Sequence, residues 1–397
     1  MTSEIPWRRN QAAVTAATFI GFTGFTLVMP FLPLYFEQLG VRDQGDIAMW
    51  SGVSLGVTPA VTAVMAPVWA RVAERFGRKL MVTRSLASFV IIMGLLGFVQ
   101  APWQVFVLRA VQGLFAGYGP IAMTMAAESA PPEQMAAAIG WVQSAQRLGP
   151  ALGPVIGGTL AQTLGLRNSF LVSASFYLAA LVLVVFGFRD ARVRQVPETA
   201  ALPVEMSFQS MRRVRHFLLF MGAVFGLQLV DRSFGPILPL YLREAGIGTA
   251  GIPFLAGVIF TTTAALGAVG NQTSGWLLRR WPTSQIVPAA AALAAVATFV
   301  FGAGAPIAVL LLTAAVLGLG LGVATTCVYT AATQAASPAA RGVAFGYLTT
   351  AYLTGLAVSP VVAGVVGSFS VRAVFLVDAA GLGILAWIVR KNMIGRS

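Results

Sequence analysis

Two stretches decide how this chain is read: Pro30-Phe31-Leu32-Pro33-Leu34-Tyr35-Phe36-Glu37-Gln38-Leu39-Gly40, and Pro236-Ile237-Leu238-Pro239-Leu240-Tyr241-Leu242-Arg243-Glu244-Ala245-Gly246. Set 206 positions apart, they share both prolines, the Leu-Tyr pair and the closing glycine. The register barely drifts afterwards. Pro132 meets Pro338, Gly140 meets Gly346, Pro154 meets Pro360 and Gly158 meets Gly364, while Arg167-x-x-Phe-Leu-Val recurs at Arg372 with an offset of 205. The chain is therefore an internal repeat of half its 397 residues.

What repeats is membrane-spanning sequence. The chain is 57% apolar and only 10% charged, against about 25% charge in soluble domains. Apolar runs of the ~20 residues that a spanning helix needs fall near 11–35, 48–70, 80–99, 103–127, 136–162, 168–188, 216–242, 252–276, 284–303, 306–330, 342–366 and 371–390. The first run follows Arg8 and Arg9 but continues through Pro30 and Pro33 without a clear cleavage site, so it reads as a retained span. The expected fold is all-α: twelve transmembrane helices in two pseudo-symmetric six-helix bundles, 1–188 and 216–397, joined by the polar linker 189–215. An even number of spans per copy sets the copies parallel about an axis along the membrane normal, an arrangement suited to alternating access at a midplane site.

Charge sets the orientation and removes other function classes. Nineteen of the 26 basic residues fall on the side that holds both termini and the linker, and four (Arg42, Arg167, Arg243, Arg372) fall on the other. By the positive-inside rule both termini are cytoplasmic, in a bacterial-type cytoplasmic membrane. The net charge of +13 is divided among short loops and forms no continuous basic face for nucleic acid. A single cysteine, Cys327, and a single histidine, His216, exclude an internal disulfide and an N/S zinc site. The two lysines, Lys79 and Lys391, stand in no G-K-[ST] context, so no phosphate-cradling loop is present. No cofactor, no metal and no enzymatic reaction are expected.

Three motifs carry a family resemblance. Between spans 2 and 3 stands Ala70-Arg71-Val72-Ala73-Glu74-Arg75-Phe76-Gly77-Arg78-Lys79, where Gly77 permits a tight turn and an acid at a helix end can pair with a base. It resembles the G-x-L-x-D-R-x-G-R-[RK] loop of the major facilitator superfamily, with Ala70 for the glycine and Glu74 for the aspartate. In span 4, Arg109-Ala110-Val111-Gln112-Gly113 resembles that superfamily's R-x-x-Q-G motif. In span 5, Gly149-Pro150-Ala151-Leu152-Gly153-Pro154-Val155-Ile156-Gly157-Gly158 matches every fixed position of the "antiporter" motif G-x-x-x-G-P-x-x-G-G of the 12-span drug/proton antiporters. The N-terminal run Val28 to Gly40, followed by Met49-Trp50-Ser51-Gly52, is similar to the MdtG-type multidrug-resistance branch. The resemblance implies a gating latch at Glu74, Arg75, Gly77, Arg78 and Lys79, and a link of Arg109 to proton coupling. It also implies that spans 1, 4, 7 and 10 face substrate.

Four intramembrane residues are coupling candidates: Asp231 near the middle of span 7, its neighbour Arg232, Arg109 in span 4, and Arg147 in span 5. A carboxylate at that depth is disfavoured in its charged form unless a cation accompanies it, so a moving partner makes a proton switch. Neighbouring helix positions point about 100° apart, so Asp231 and Arg232 need not pair, and Arg147 is another possible partner. Asp378 in span 12 reads as an anchor or groove residue, Glu128 as a wet carboxylate at a helix end, and His216 as an interface anchor. The spans that face substrate contribute Phe22, Phe25, Gln112, Tyr118, Phe225, Gln228 and Tyr329, a mixture of rings and amides suited to amphipathic or lipophilic compounds. These features together point to a monomeric multidrug efflux antiporter in the lipid bilayer, whose partners are a small-molecule substrate and protons. The alternatives are a lipid or amphiphile exporter, a nutrient uptake carrier, or a membrane sensor that transports nothing.

Overall fold

The computed structural model describes residues 7–131, 134–189, 216–335 and 341–394, and all regular structure in them is helical. Span 1 runs Trp7–Gln38, span 2 Gln44–Phe76, span 3 Arg78–Leu96 and span 4 Pro102–Ser129; span 5 is Met135–Leu164 and span 6 Leu166–Gly187. In the second half, span 7 is Phe217–Glu244, span 8 Ile252–Leu278, span 9 Thr283–Gly302, span 10 Ile307–Ala335, span 11 Arg341–Phe369 and span 12 Val371–Ile394. Apart from Arg189, the linker lies outside the described residues.

Among the described residues, 11 helices are long and apolar enough to cross a membrane. The expected run at 136–162 is the one that falls short. Its helix has 30 residues, ample for a bilayer at 1.5 Å per residue, but Gln143, Ser144, Gln146, Arg147 and Gln162 dilute its apolar character. Large apolar side chains such as Ile91, Phe98, Val296, Phe299, Ile384 and Trp387 are exposed, as befits helices that meet lipid and satisfy their backbone internally.

The chain forms two compact units, each of which borrows one helix end from the other half of the sequence. The first contains Met1–Val41, Val57–Glu198 and Gly248–Thr261; the second contains Arg42–Gly56, Thr199–Ile247 and Thr262–Ser397. In the first unit span 1 packs along span 5 and span 3 along span 6; in the second, span 7 packs along span 11 and span 9 along span 12. These are the same pairings 206 positions on.

The matched prolines act differently in the two copies. In span 1 the α-helix stops at Val28, passes through a 3₁₀ turn at Met29–Phe31 and resumes at Leu32, because Pro30 lacks the N–H that the α-ladder needs. Span 7 carries Pro236 and Pro239 within one continuous helix. Span 4 is broken as well, between Phe115 and Tyr118, where Gly117 adopts φ +111°, a conformation that side chains rarely tolerate. The indole of Trp69 donates to the freed carbonyl of Leu114 (2.6 Å), and Arg84 donates to that of Phe115 (3.1 Å) while its guanidinium lies 3.5 Å from the Trp69 ring centroid.

Candidate functional site

The glycines of the span 5 motif form two seams. Gly149, Gly153 and Gly157, spaced four apart on one face, press on span 1. A carbon added at Gly149 would stand 2.8 Å from Phe19 O and 2.9 Å from Thr23 N, and one at Gly157 would overlap Leu27 O. Gly158 meets the start of span 8: an added carbon would overlap Pro253 O and lie 3.1 Å from the Phe254 Cα. Span 8 answers with Gly257, which admits the carbonyl of Pro154 to the same close approach. Only a residue without a side chain allows backbones this near, which is the physical use of small residues between membrane helices.

The second unit repeats most of the arrangement, with Ala363 where the first copy has Gly157. Gly355 faces Phe225 O (3.0 Å from an added carbon), as Gly149 faces Phe19 O. Ser359, the counterpart of Gly153, donates its hydroxyl to Leu229 O, the counterpart of Thr23. Gly364 faces Ala48 O at 2.7 Å, as Gly158 faces Pro253 O, and Gly52 admits the carbonyl of Pro360, as Gly257 admits that of Pro154. The incomplete motif of span 11 thus keeps the contacts where it keeps the glycines, and fills one gap with a hydrogen bond.

Arg109 is buried, 1% exposed. Its guanidinium donates to Gln112 Oε1 one helical turn away, and lies 5.6 Å from the Phe25 ring centroid. Thr58 of span 2 donates to its backbone carbonyl at 2.7 Å. The structure therefore brings together Arg109, Gln112 and Phe25 from the expected set. Tyr118 is buried nearby in the same unit, its ring tilted against Phe22 (5.4 Å) and edge-on to Phe89 (6.1 Å). Phe22, Phe25, Phe225 and Tyr329 are half-buried. Gln228 is buried, and its Oε1 has no hydrogen-bond partner among the described residues.

Asp231 and Arg232 do pair, with Nε 3.0 Å from Oδ2. Long side chains bend toward one another despite the angle between adjacent helix positions. The side chain of Arg147 is exposed on span 5 and forms no ion pair among the described residues. In the loop between spans 2 and 3, Gly77 takes φ +91°. Arg78 pairs with Glu128 at the end of span 4, and Lys79 donates to the carbonyls of Val185 (3.0 Å) and Phe188 (2.7 Å), where span 6 ends in a π-turn and leaves acceptors free. Arg75 is exposed, and the side chain of Glu74 lies outside the described residues. One residue carries more than its sequence position suggested. Asp378 is 3% exposed and bonded to Ser233 of span 7; the available signal was an acid at the position where the first copy has Ser173.

The model of the Major Facilitator Superfamily matches residues 14–336 and 253–392. The chain is 32% identical over 271 residues to the multidrug resistance protein MdtG of Proteus mirabilis, covering 68% of this chain and 67% of that protein. It is 33% identical over 294 residues to MdtG of Citrobacter koseri, covering 74% and 72%. Among solved structures, a bacterial homologue of the human lysosomal transporter Spinster, in its inward-facing and occupied conformation, superposes with a TM-score of 0.81 at 16% identity, over 98% of each chain. A D-xylose–proton symporter superposes with a TM-score of 0.77 at 14% identity, again over 98% of each. At these identities the two structures speak for the fold alone.

Proposed function

We propose that this chain, which belongs to the Major Facilitator Superfamily, exports small lipophilic or amphipathic compounds in exchange for protons. The observation that carries the reading is the glycine–carbonyl seam of span 5, repeated 206 positions on, in a chain whose curated relatives are multidrug resistance proteins. Seams of bare backbone separate and re-form without reorganising side chains. That favours helices that exchange neighbours over a static scaffold. The moving bodies in this proposal are the halves 1–188 and 216–397, joined by the linker, with both termini cytoplasmic and the protein acting as a monomer in the inner membrane.

The half-buried rings of Phe22 and Phe25 in the first unit, and of Phe225 and Tyr329 in the second, are the proposed substrate contacts, and the amide of Gln228 is a proposed polar contact in the second unit. In the first unit Tyr118 packs against Phe22, and Gln112 holds Arg109 in place. The pair Asp231–Arg232 is the proposed coupling switch. A proton arriving at Asp231 removes the charge that holds Arg232, and the freed guanidinium reports the event to its neighbours. Arg109 fixes local polarity inside the first half, and the loop cations Arg78 and Lys79 hold the ends of spans 3, 4 and 6 together while Glu74 is available as a latch.

The test is proton release from purified, reconstituted protein challenged with lipophilic cations and neutral antibiotics, comparing wild type with Asp231→Asn. Release by wild type, abolished in a folded D231N, is the expected result. Release that survives in D231N removes Asp231 from coupling. Silence from wild type across the panel refutes the exporter reading and leaves a lipid carrier, an uptake carrier or a sensor.

A further inference from the structure

A buried acid lies apart from the Asp231–Arg232 pair. Asp378, in span 12, is 3% exposed, and Ser233 of span 7 is 2% exposed. The Ser233 hydroxyl lies within bonding distance of two oxygens, Val230 O at 2.8 Å and Asp378 Oδ2. A serine hydroxyl has one hydrogen and cannot fill both bonds. A hydrogen on the carboxyl completes the count: Asp378 then donates to Ser233 Oγ, and Ser233 donates to Val230 O. Phe234, next to Ser233 in span 7, and Phe375, one turn before Asp378 in span 12, pack with each other and with Phe301 of span 9, centroids 5.0 to 5.5 Å apart.

Among the described residues, no cation lies within ion-pair distance of Asp378. Three spans pack against span 12. From span 7 the ionisable groups are Asp231 and Arg232, paired with each other, then Tyr241, Arg243 and Glu244 near the far end of the helix. Span 9 has no ionisable side chain anywhere between Thr283 and Gly302. Span 11 offers Tyr347 and Tyr352, and the side chain of Arg341 lies outside the described residues. On span 12 itself Arg372 turns toward Glu244 (4.0 Å), and Arg390 and Lys391 stand at the far end.

The internal repeat shows that packing does not need an acid here. The counterpart of Asp378 in span 6 is Ser173, fully buried, whose neutral hydroxyl donates to Gly24 O of span 1 at 2.7 Å. The same helix-to-helix contact is thus made without a charge in the first copy. We propose that Asp378, bonded to Ser233 inside the second unit, is a proton-binding site of this protein. On release the carboxyl O–H bond breaks and the proton passes to water admitted between spans 7 and 12; Ser233 then turns its single hydrogen from Val230 O to the new carboxylate. The part this proton plays in export rests on the exchange reading above, but its presence on Asp378 does not.

The experiment is infrared difference spectroscopy between neutral and alkaline pH on the reconstituted full chain, in wild type, Asp378→Asn, Asp378→Ser and Asp231→Asn. The serine variant copies the first repeat, and folding is checked by protection of the buried Cys327 from a thiol reagent. The expected result is a protonated-carboxyl stretch in wild type at neutral pH that disappears at alkaline pH, persists in D231N and is lost in both Asp378 variants. A wild type without that stretch, or a stretch that survives in folded D378N or D378S, overturns the proposal. Loss of the stretch in D378N, alongside a wild type that releases no protons to any compound, overturns the exporter reading and leaves the proton site standing.

Discussion

Gly257→Ala, compared with Gly140→Ala, tests the seams directly. Both glycines lie inside helices, so each gains about 1 kcal/mol of helix propensity on becoming alanine, and the difference between the variants cancels that gain. Nothing lies within 4 Å of a carbon added at Gly140. At Gly257 the added carbon overlaps Pro154 O, with Pro154 C at 3.0 Å and the Val155 Cα at 3.1 Å, where ordinary carbon contacts stand at about 3.5–4.0 Å. The start of span 8 must therefore withdraw from span 5 by roughly 0.5–1 Å. Gaps of that size forfeit a quarter to a half of each contact along the seam, and overpacking of this kind costs about 1–3 kcal/mol. G257A is thus expected to be less stable than G140A by about 1–3 kcal/mol. Gly52→Ala, its repeat mate beside Pro360 O, should behave alike. The lone buried cysteine, Cys327, supplies the assay: a thiol-reactive dye labels it only as the protein unfolds, so labelling against temperature or denaturant ranks the variants. Stability of G257A within about 0.5 kcal/mol of G140A, the usual scatter of surface substitutions, would refute the reasoning.

Arg109→Ala leaves Gln112 Oε1 without its charged donor and opens a void, and should cost about 2–5 kcal/mol in the same assay; Arg109→Lys should recover only part, because an ammonium lacks the planar fork. Ser359→Ala removes the second hydrogen bond that Leu229 O accepts across the helices and should cost about 1 kcal/mol, whereas Ser359→Gly, the residue of the first copy at Gly153, should let span 11 settle closer and cost less than S359A. Glu128→Gln breaks a partly exposed pair with Arg78 and should cost no more than about 1 kcal/mol, a loss that shrinks further in high salt. Trp69→Phe keeps the ring beneath Arg84 but removes the donor to Leu114 O at the break in span 4, and should cost about 1 kcal/mol, read as earlier labelling of Cys327.

Most of the architecture was legible in order of residues alone. An offset of 206 named the pairs that the fold later set in matching contacts: Gly149 with Gly355, Pro154 with Pro360, Gly158 with Gly364. This was possible because glycines inside apolar helices are costly unless another backbone comes close, so their spacing already marks a contact face. Span 5 was legible from the same glycines even though its glutamines and Arg147 leave it less apolar than the other spans.

Partners were another matter. That a glycine makes close contact follows from its own chemistry; that Gly158 meets Pro253 and Gly52 meets Pro360 depends on which helix ends share a unit, which no local pattern states. The prolines of spans 1 and 7 match in sequence, yet only span 1 breaks at them, so the presence of proline does not by itself tell whether a helix breaks. The acid of span 12 shows the limit most plainly. Its depth and charge were visible in the sequence, but Ser233, its bonding partner, lies 145 residues away on another helix. A titratable group's behaviour is set by the few ångströms around it, and that shell is assembled only when distant segments are brought together.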